Sequence, residues 1–204
     1  MAIISSPLPR IATVLLCSLL LSSAAWASEH DDAIDVTFPD KLGGLSLQGR
    51  QTFGQKALGA SYGYQNEWGS LRVGIYVYNG GLRSIPGDLA APVVRRHFEQ
   101  VIGEAKSLQA TGQVRAVELT DTAPLLTALP GCGPQFVHQG FTMEMNAGLQ
   151  LTSATWLTVM RDNFIKLRVS YRSNAPEEAA YAERFIGELR RTLGHCPVQV
   201  AGLP

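Results

Sequence analysis

Four groups of residues in this chain have types and spacings that can do chemistry. Tyr62, Tyr64, Tyr76 and Tyr78 alternate with other residues in two neighbouring segments, and Arg72 lies between them. On one sheet face they would make a stacking platform for a ligand ring, or a sticky patch for a protein. The plainer alternative is a face covered by helices. Ser28-Glu29-His30 is the second group. In a chain that begins at Ser28, the amine, two backbone amides and the imidazole can wrap a square plane of four nitrogens, which suits Cu(II) or Ni(II). The third is Gly59-Ala60-Ser61-Tyr62-Gly63, which matches the G-x-S-x-G of serine hydrolases, with Asp162 and His195 following in the required order. That nucleophile elbow needs a helix after the serine, whereas a strand is expected here, so the match reads as accidental. Cys132 and Cys196 form the fourth group, each flanked by Gly and Pro.

What cysteines do depends on the compartment. Residues 1–27 carry one positive charge, an apolar core from Ile11 to Leu21, and a small-x-small ending at Ala25 and Ala27. This is the pattern of a cleaved secretory signal. The apolar run is short of the roughly 20 residues that a membrane span needs. Cleavage after Ala27 removes Cys17 and leaves Cys132 and Cys196 as a pair. In an oxidising compartment a disulfide is the default. No CxxC is present to make them a redox couple. The chain is thus expected to be periplasmic or secreted.

Composition excludes further classes. The 204 residues hold 17 basic and 17 acidic side chains. A basic nucleic-acid binder is excluded by that balance. No run of like charges suggests a polyanionic tail. At 46% hydrophobic residues the chain can bury a core. No HExxH, Cys/His cluster, P-loop or GxGxxG pattern appears. No span is expected in the mature chain.

Periodicity supplies the elements that must position these residues. Residues 28–36 are polar and acidic and read as a flexible leader, with one domain over residues 37–204. Strands are expected at Leu45–Phe53, Gly59–Glu67, Leu71–Asn79, Val114–Thr120, Gln135–Met145, Leu149–Arg161 and Phe164–Arg172. In the third, Leu71, Val73, Ile75 and Val77 alternate with polar or small residues. In the last, Ile165, Leu167, Val169 and Tyr171 point one way and Lys166, Arg168, Ser170 and Arg172 the other. A helix follows Asp88, with Val94, Phe98, Val101, Ala105 and Leu108 as its buried stripe. A second runs from a capping box at Asn174–Glu177 to Leu193, with Ala182, Phe185, Ile186 and Leu189 buried. His97 is expected at the edge of the first stripe, hydrogen-bonded locally, and His138 on a polar strand face. Residues 121–134 read as a long loop.

Strands joined by short turns, then a helix, then strands and a helix again, give an α+β fold. Its antiparallel sheet is covered by two amphipathic helices. The facing of the four tyrosines depends on the hairpin register. A four-residue turn at Glu67–Ser70 opposes Tyr62 to Ile75 and splits them between faces. A three-residue turn opposes Tyr62 to Tyr76 and gathers all four on one face.

This layout, with its early hairpin Tyr62–Tyr78, middle helix, and closing strand Phe164–Tyr171 followed by a helix, resembles the Mog1/PsbP-like fold group. The resemblance implies a binding module rather than an enzyme and carries over no functional residue. The function expected is therefore an exported, non-catalytic binding or interaction module. Its partner would be a protein or a small aromatic or apolar ligand, met by Tyr62, Tyr64, Arg72, Tyr76 and Tyr78. No cofactor is expected beyond adventitious Cu or Ni at Ser28-Glu29-His30.

Overall fold

Alternation along the strands sets the two faces of one sheet, and each face takes one helix. The computed structural model describes residues 27–127 and 132–196. The expected export signal, apart from Ala27, lies outside them. In chain order the elements are β1 (Glu29–Asp31), β2 (Val36–Phe38), β3 (Lys41–Leu42), β4 (Leu45–Thr52), a 3-10 turn at Lys56–Leu58, β5 (Ala60–Gln65), β6 (Arg72–Tyr78), α1 (Pro92–Ala110), β7 (Ala116–Leu119), β8 (Leu125–Thr127), β9 (Phe136–Glu144), β10 (Gln150–Met160), β11 (Asn163–Arg172) and α2 (Pro176–Leu193). The sheet runs β3-β4-β5-β6-β11-β10-β9-β7, and β8 pairs with the other half of β9. Its neighbours are all antiparallel. The α+β class read from the sequence holds.

One face carries Tyr62, Tyr64, Val73, Ile75, Ile165, Leu167 and Val169. It packs under Ala182, Phe185, Ile186, Leu189 and Leu193 of α2. Each large side chain buried there contributes roughly 1.5–3 kcal/mol. The opposite face gathers Tyr78, Leu157 and Phe164 beneath Val94 and Phe98 of α1, and Phe141 and Met143 beneath Ala105. The chain passes so close to α2 at Gly43 that a Cβ there would sit 2.3 Å from the Phe185 Cα. With φ at +59°, only glycine fits without strain.

The segment 28–36 is a correction. It is an ordered hairpin, β1 against β2, rather than a flexible leader. Ile34 and Val36 are buried, and the buried Asp31 carboxylate accepts hydrogen bonds from the Ala33 and Ile34 amides and from the Tyr62 hydroxyl. Of the acidic residues that suggested a leader, Asp32 and Asp35 are exposed in the turn of this hairpin, while Asp31 is buried.

The helix starts also differ from expectation. Ala91 and Ala175 are the N-caps, without side-chain caps, and Pro92 and Pro176 open the helices. Pro fits there because a first-turn N–H has no helical partner to lose. Asp88 instead caps the preceding turn through the Ala90 amide. The expected loop 121–134 contains β8.

Cys132 and Cys196 form a disulfide, with Cα atoms 5.9 Å apart. Closing a loop of that sequence separation, 64 residues, is worth about 4 kcal/mol on the chain-entropy account. Among the described residues, no helix is long and apolar enough to cross a membrane.

Candidate functional site

The register of the β5–β6 hairpin decides which tyrosines can meet a ligand. Tyr62 pairs with Ile75 and Tyr64 with Val73, so the four-residue turn is the one formed. Asn66 enforces it. Its side-chain oxygen accepts the Ser70 and Leu71 amides at 2.9 and 3.1 Å, and Gly69 adopts φ +66°. The tyrosines are therefore split.

Tyr62 and Tyr64 leave the candidate surface. They lie at 0% and 1% exposure in the α2 core. Their hydroxyls donate to Asp31 and to the Pro39 carbonyl, and burial pushes both phenols well above the usual range. Tyr76 and Tyr78 face α1. Tyr78 is almost fully buried and its hydroxyl lies 2.7 Å from His97 Nε2. Burial raises this phenol too. His97 also stacks on Phe164 at 4.0 Å, so it is bonded across to the sheet rather than locally. Burial first, then the Lys166 charge, lowers its pKa.

Tyr76 is the tyrosine left at a surface. It stands between two cavities along α1. One, of about 440 Å³, is bounded by Tyr78, His97, Glu104 and Lys166. The other, of about 420 Å³, is bounded by Arg72, Arg168, Ser170, Leu108, Met143 and Leu151. Both lie between α1 and strands β6 and β11, as a groove that the Tyr76 ring divides. Next to it, Gly63 of β5 faces Gly74 of β6. A Cβ on Gly63 would meet nothing within 4 Å, while one on Gly74 would press the Tyr76 ring at 3.0 Å. Glycine at position 74 thus lets that ring lie along the strand.

Three cations enter this groove. Lys166 Nζ sits 4.8 Å from the Tyr76 ring centre and 3.9 Å from Glu104. Burial lowers its pKa, Arg168 adds to the drop, and Glu104 opposes it. Arg72 Nε donates to the Gly69 carbonyl, 3.0 Å away. Arg168 has no hydrogen bond or ion pair among the described residues. Of the sequence candidates, Tyr76 lines both cavities, Tyr78 the first and Arg72 the second. The structure adds Lys166 and Arg168, whose signal was already present as the polar phase of the last strand.

The other candidates are dispersed. Ser61 sits within β5, opposite Tyr76, and a strand follows it. Asp162 accepts from Ser84 and the Ile85 amide. His195 meets the Asp35 carbonyl on the α2 side. No hydrogen bond joins the three, so the hydrolase arrangement does not form. His30 lies in β1 with Nδ1 3.1 Å from Thr37 Oγ1 and Nε2 near Asp32. Among the described residues, no group of three or more His, Cys, Asp or Glu is placed to share a metal. His138, expected on a polar face, stacks on Trp156 at 4.3 Å, and burial lowers its pKa. The apolar cleft of about 740 Å³ between α1 and β8 is walled by Phe98, Ile102, Leu126 and Val137. It holds none of the candidate residues.

No family model matches the chain. No curated protein matches it either. Among solved structures, it is similar to cyanobacterial PsbP from Synechocystis, at 10% identity and TM-score 0.47, over 81% of this chain and 94% of that one. A protein of unknown function from Pseudomonas aeruginosa follows at 12% identity and TM-score 0.35, over 76% of this chain and 90% of that one. Each is a likeness of layout alone.

Proposed function

We propose that this protein is an exported, non-catalytic binding module whose groove along α1 holds an anionic ligand. The observation that carries the reading is the set of Arg72, Lys166 and Arg168 around Tyr76. Among the described residues, Glu104 is the only acid paired with any of them. Arg72 and Arg168, which pair with no acid among the described residues, attract carboxylate, phosphate or sulfate. Tyr76 adds a flat surface for an apolar or aromatic part of the same ligand. Export is supported by the signal pattern of residues 1–27 and by the Cys132–Cys196 disulfide. A role without chemistry is supported by the separation of Ser61, Asp162 and His195.

Native mass spectrometry of protein recovered without reductant from its own exported fraction tests this. An anionic passenger on the wild type that is missing from an Arg72→Gln, Arg168→Gln variant is the expected result. A neutral or cationic passenger that the variant retains would overturn the reading.

A further inference from the structure

The register of β6 against β11 places the three cations in an order that a simple anion site does not need. Ser170 pairs with Arg72, Arg168 with Gly74, and Lys166 with Tyr76. These are successive levels on the α1-facing side, and each carries one cation. Residues two apart on a strand lie about 7 Å apart. The row therefore has the side-chain repeat of an extended chain running along the strands.

The groove has matching proportions. Its two cavities lie along α1 from His97 to Leu108. Eleven residues of helix cover about 16 Å. An extended peptide spans that length with about five residues. Gly63 leaves open surface beside the row, while the Tyr76 ring lies over Gly74. Ser170 Oγ, already bonded to Ser153 Oγ at 2.7 Å, lies at the Arg72 level. Because Ser153 Oγ donates to the Val169 carbonyl, Ser170 donates to Ser153, and its oxygen can accept a backbone amide of a bound segment.

We infer that the groove takes an extended acidic segment of a partner protein, with Asp or Glu at alternate positions meeting Arg72, Arg168 and Lys166 in turn. The inference rests on the anion-binding reading of the groove and narrows it. The partner is recognised by the spacing of its charges as well as by their number. Tyr76 lies against the chain between the last two acidic positions.

Fluorescence anisotropy at low ionic strength tests this with two labelled octapeptides of one composition. The first alternates Glu and Ala; the second has four Glu followed by four Ala. The alternating peptide is expected to bind at least fivefold more tightly. Arg168→Gln is expected to weaken it at least fivefold, and Arg168→Lys to recover most of the loss, which separates charge from folding. Equal affinity for the two peptides overturns the inference, as does binding that Arg168→Gln leaves unchanged. A parallel NMR titration with sodium sulfate separates the two readings. Sulfate that shifts the Arg72 and Arg168 side-chain signals, with neither peptide binding, overturns the peptide and leaves the anion site standing. No response to sulfate or to peptide removes both.

Discussion

The Tyr78 hydroxyl lies 2.7 Å from His97 Nε2, and this one polar bond ties the sheet centre to α1 inside apolar surroundings. Lys166 faces the pair from β11, its Nζ 5.6 Å from the Tyr78 ring, and Glu104 faces it from α1. A second histidine, His138, stacks on Trp156 across β9 and β10.

Acid should loosen this protein through its histidines before its carboxylates. Both His97 and His138 are held below the ordinary value of 6.5 by burial. The unfolded chain then binds more protons than the native one as pH falls, so folding stability decreases. Stability is full above pH 6.5 and is lost as the pH drops from there through the folded pKa values. The melting temperature is expected to fall between pH 7.5 and 5.5. His97→Gln should flatten that dependence. A melting temperature constant over this range would contradict the assignment.

Glu178 should be one of the costlier charges to remove. It is 3% exposed, and its carboxylate accepts from Ser70 Oγ, the Arg172 amide and the Arg172 guanidinium. Burial alone would raise its pKa, but these donors outweigh that and lower it. Glu178→Ala leaves the donors without an acceptor and is expected to cost about 2–3 kcal/mol. Urea denaturation reads this directly. A loss below about 0.5 kcal/mol would mean that water replaces the carboxylate.

Reducing the Cys132–Cys196 bond should lower stability by about 4 kcal/mol on the loop-closure account. Paired urea titrations with and without reductant measure it. Cys132→Ala with Cys196→Ala should reproduce the reduced value. Unchanged midpoints would show that packing alone holds this corner.

Copper can be tested on a chain that begins at Ser28. Capture by the amine, two amides and the His30 ring would pull Glu29 and His30 out of their pairing with Phe38 and Thr37. A visible Cu(II) band lost in His30→Ala is expected. The affinity should be at least tenfold below that of a free Ser-Glu-His peptide, because β1 must open. A band that survives His30→Ala would exclude this site.

Much of the fold was legible because its strands are strongly alternating. Leu71, Val73, Ile75 and Val77 are all buried, as are Ile165, Leu167 and Val169, so those phases needed no tertiary context. The hairpin register was not legible, because it turns on side-chain bonds from Asn66 that hydrophobic pattern does not encode. The first strands were missed for a related reason. Asp31 reads as a solvated acid, yet it is buried because Tyr62, distant in sequence, supplies a donor. The candidate site was half visible. Arg72, Tyr76 and Tyr78 were named, whereas Lys166 and Arg168 stood only as the polar phase of the last strand. Their place beside Tyr76 and along α1 is set by strand order, which pairs β11 with β6.

Gly43 donates its amide to Glu188, 145 positions later, and the Asp35 carbonyl meets His195 at a separation of 160. The earliest described strands thus find their cover only in α2. Such distant pairings delay the search for the native state, and domains dominated by them fold on the order of milliseconds to seconds. Until α2 docks, Phe38, Tyr62 and Tyr64 have no lid, and the half-made chain is adhesive. Were the chain exported as proposed, it would gain from that delay, because a polypeptide that has not yet closed can still be threaded.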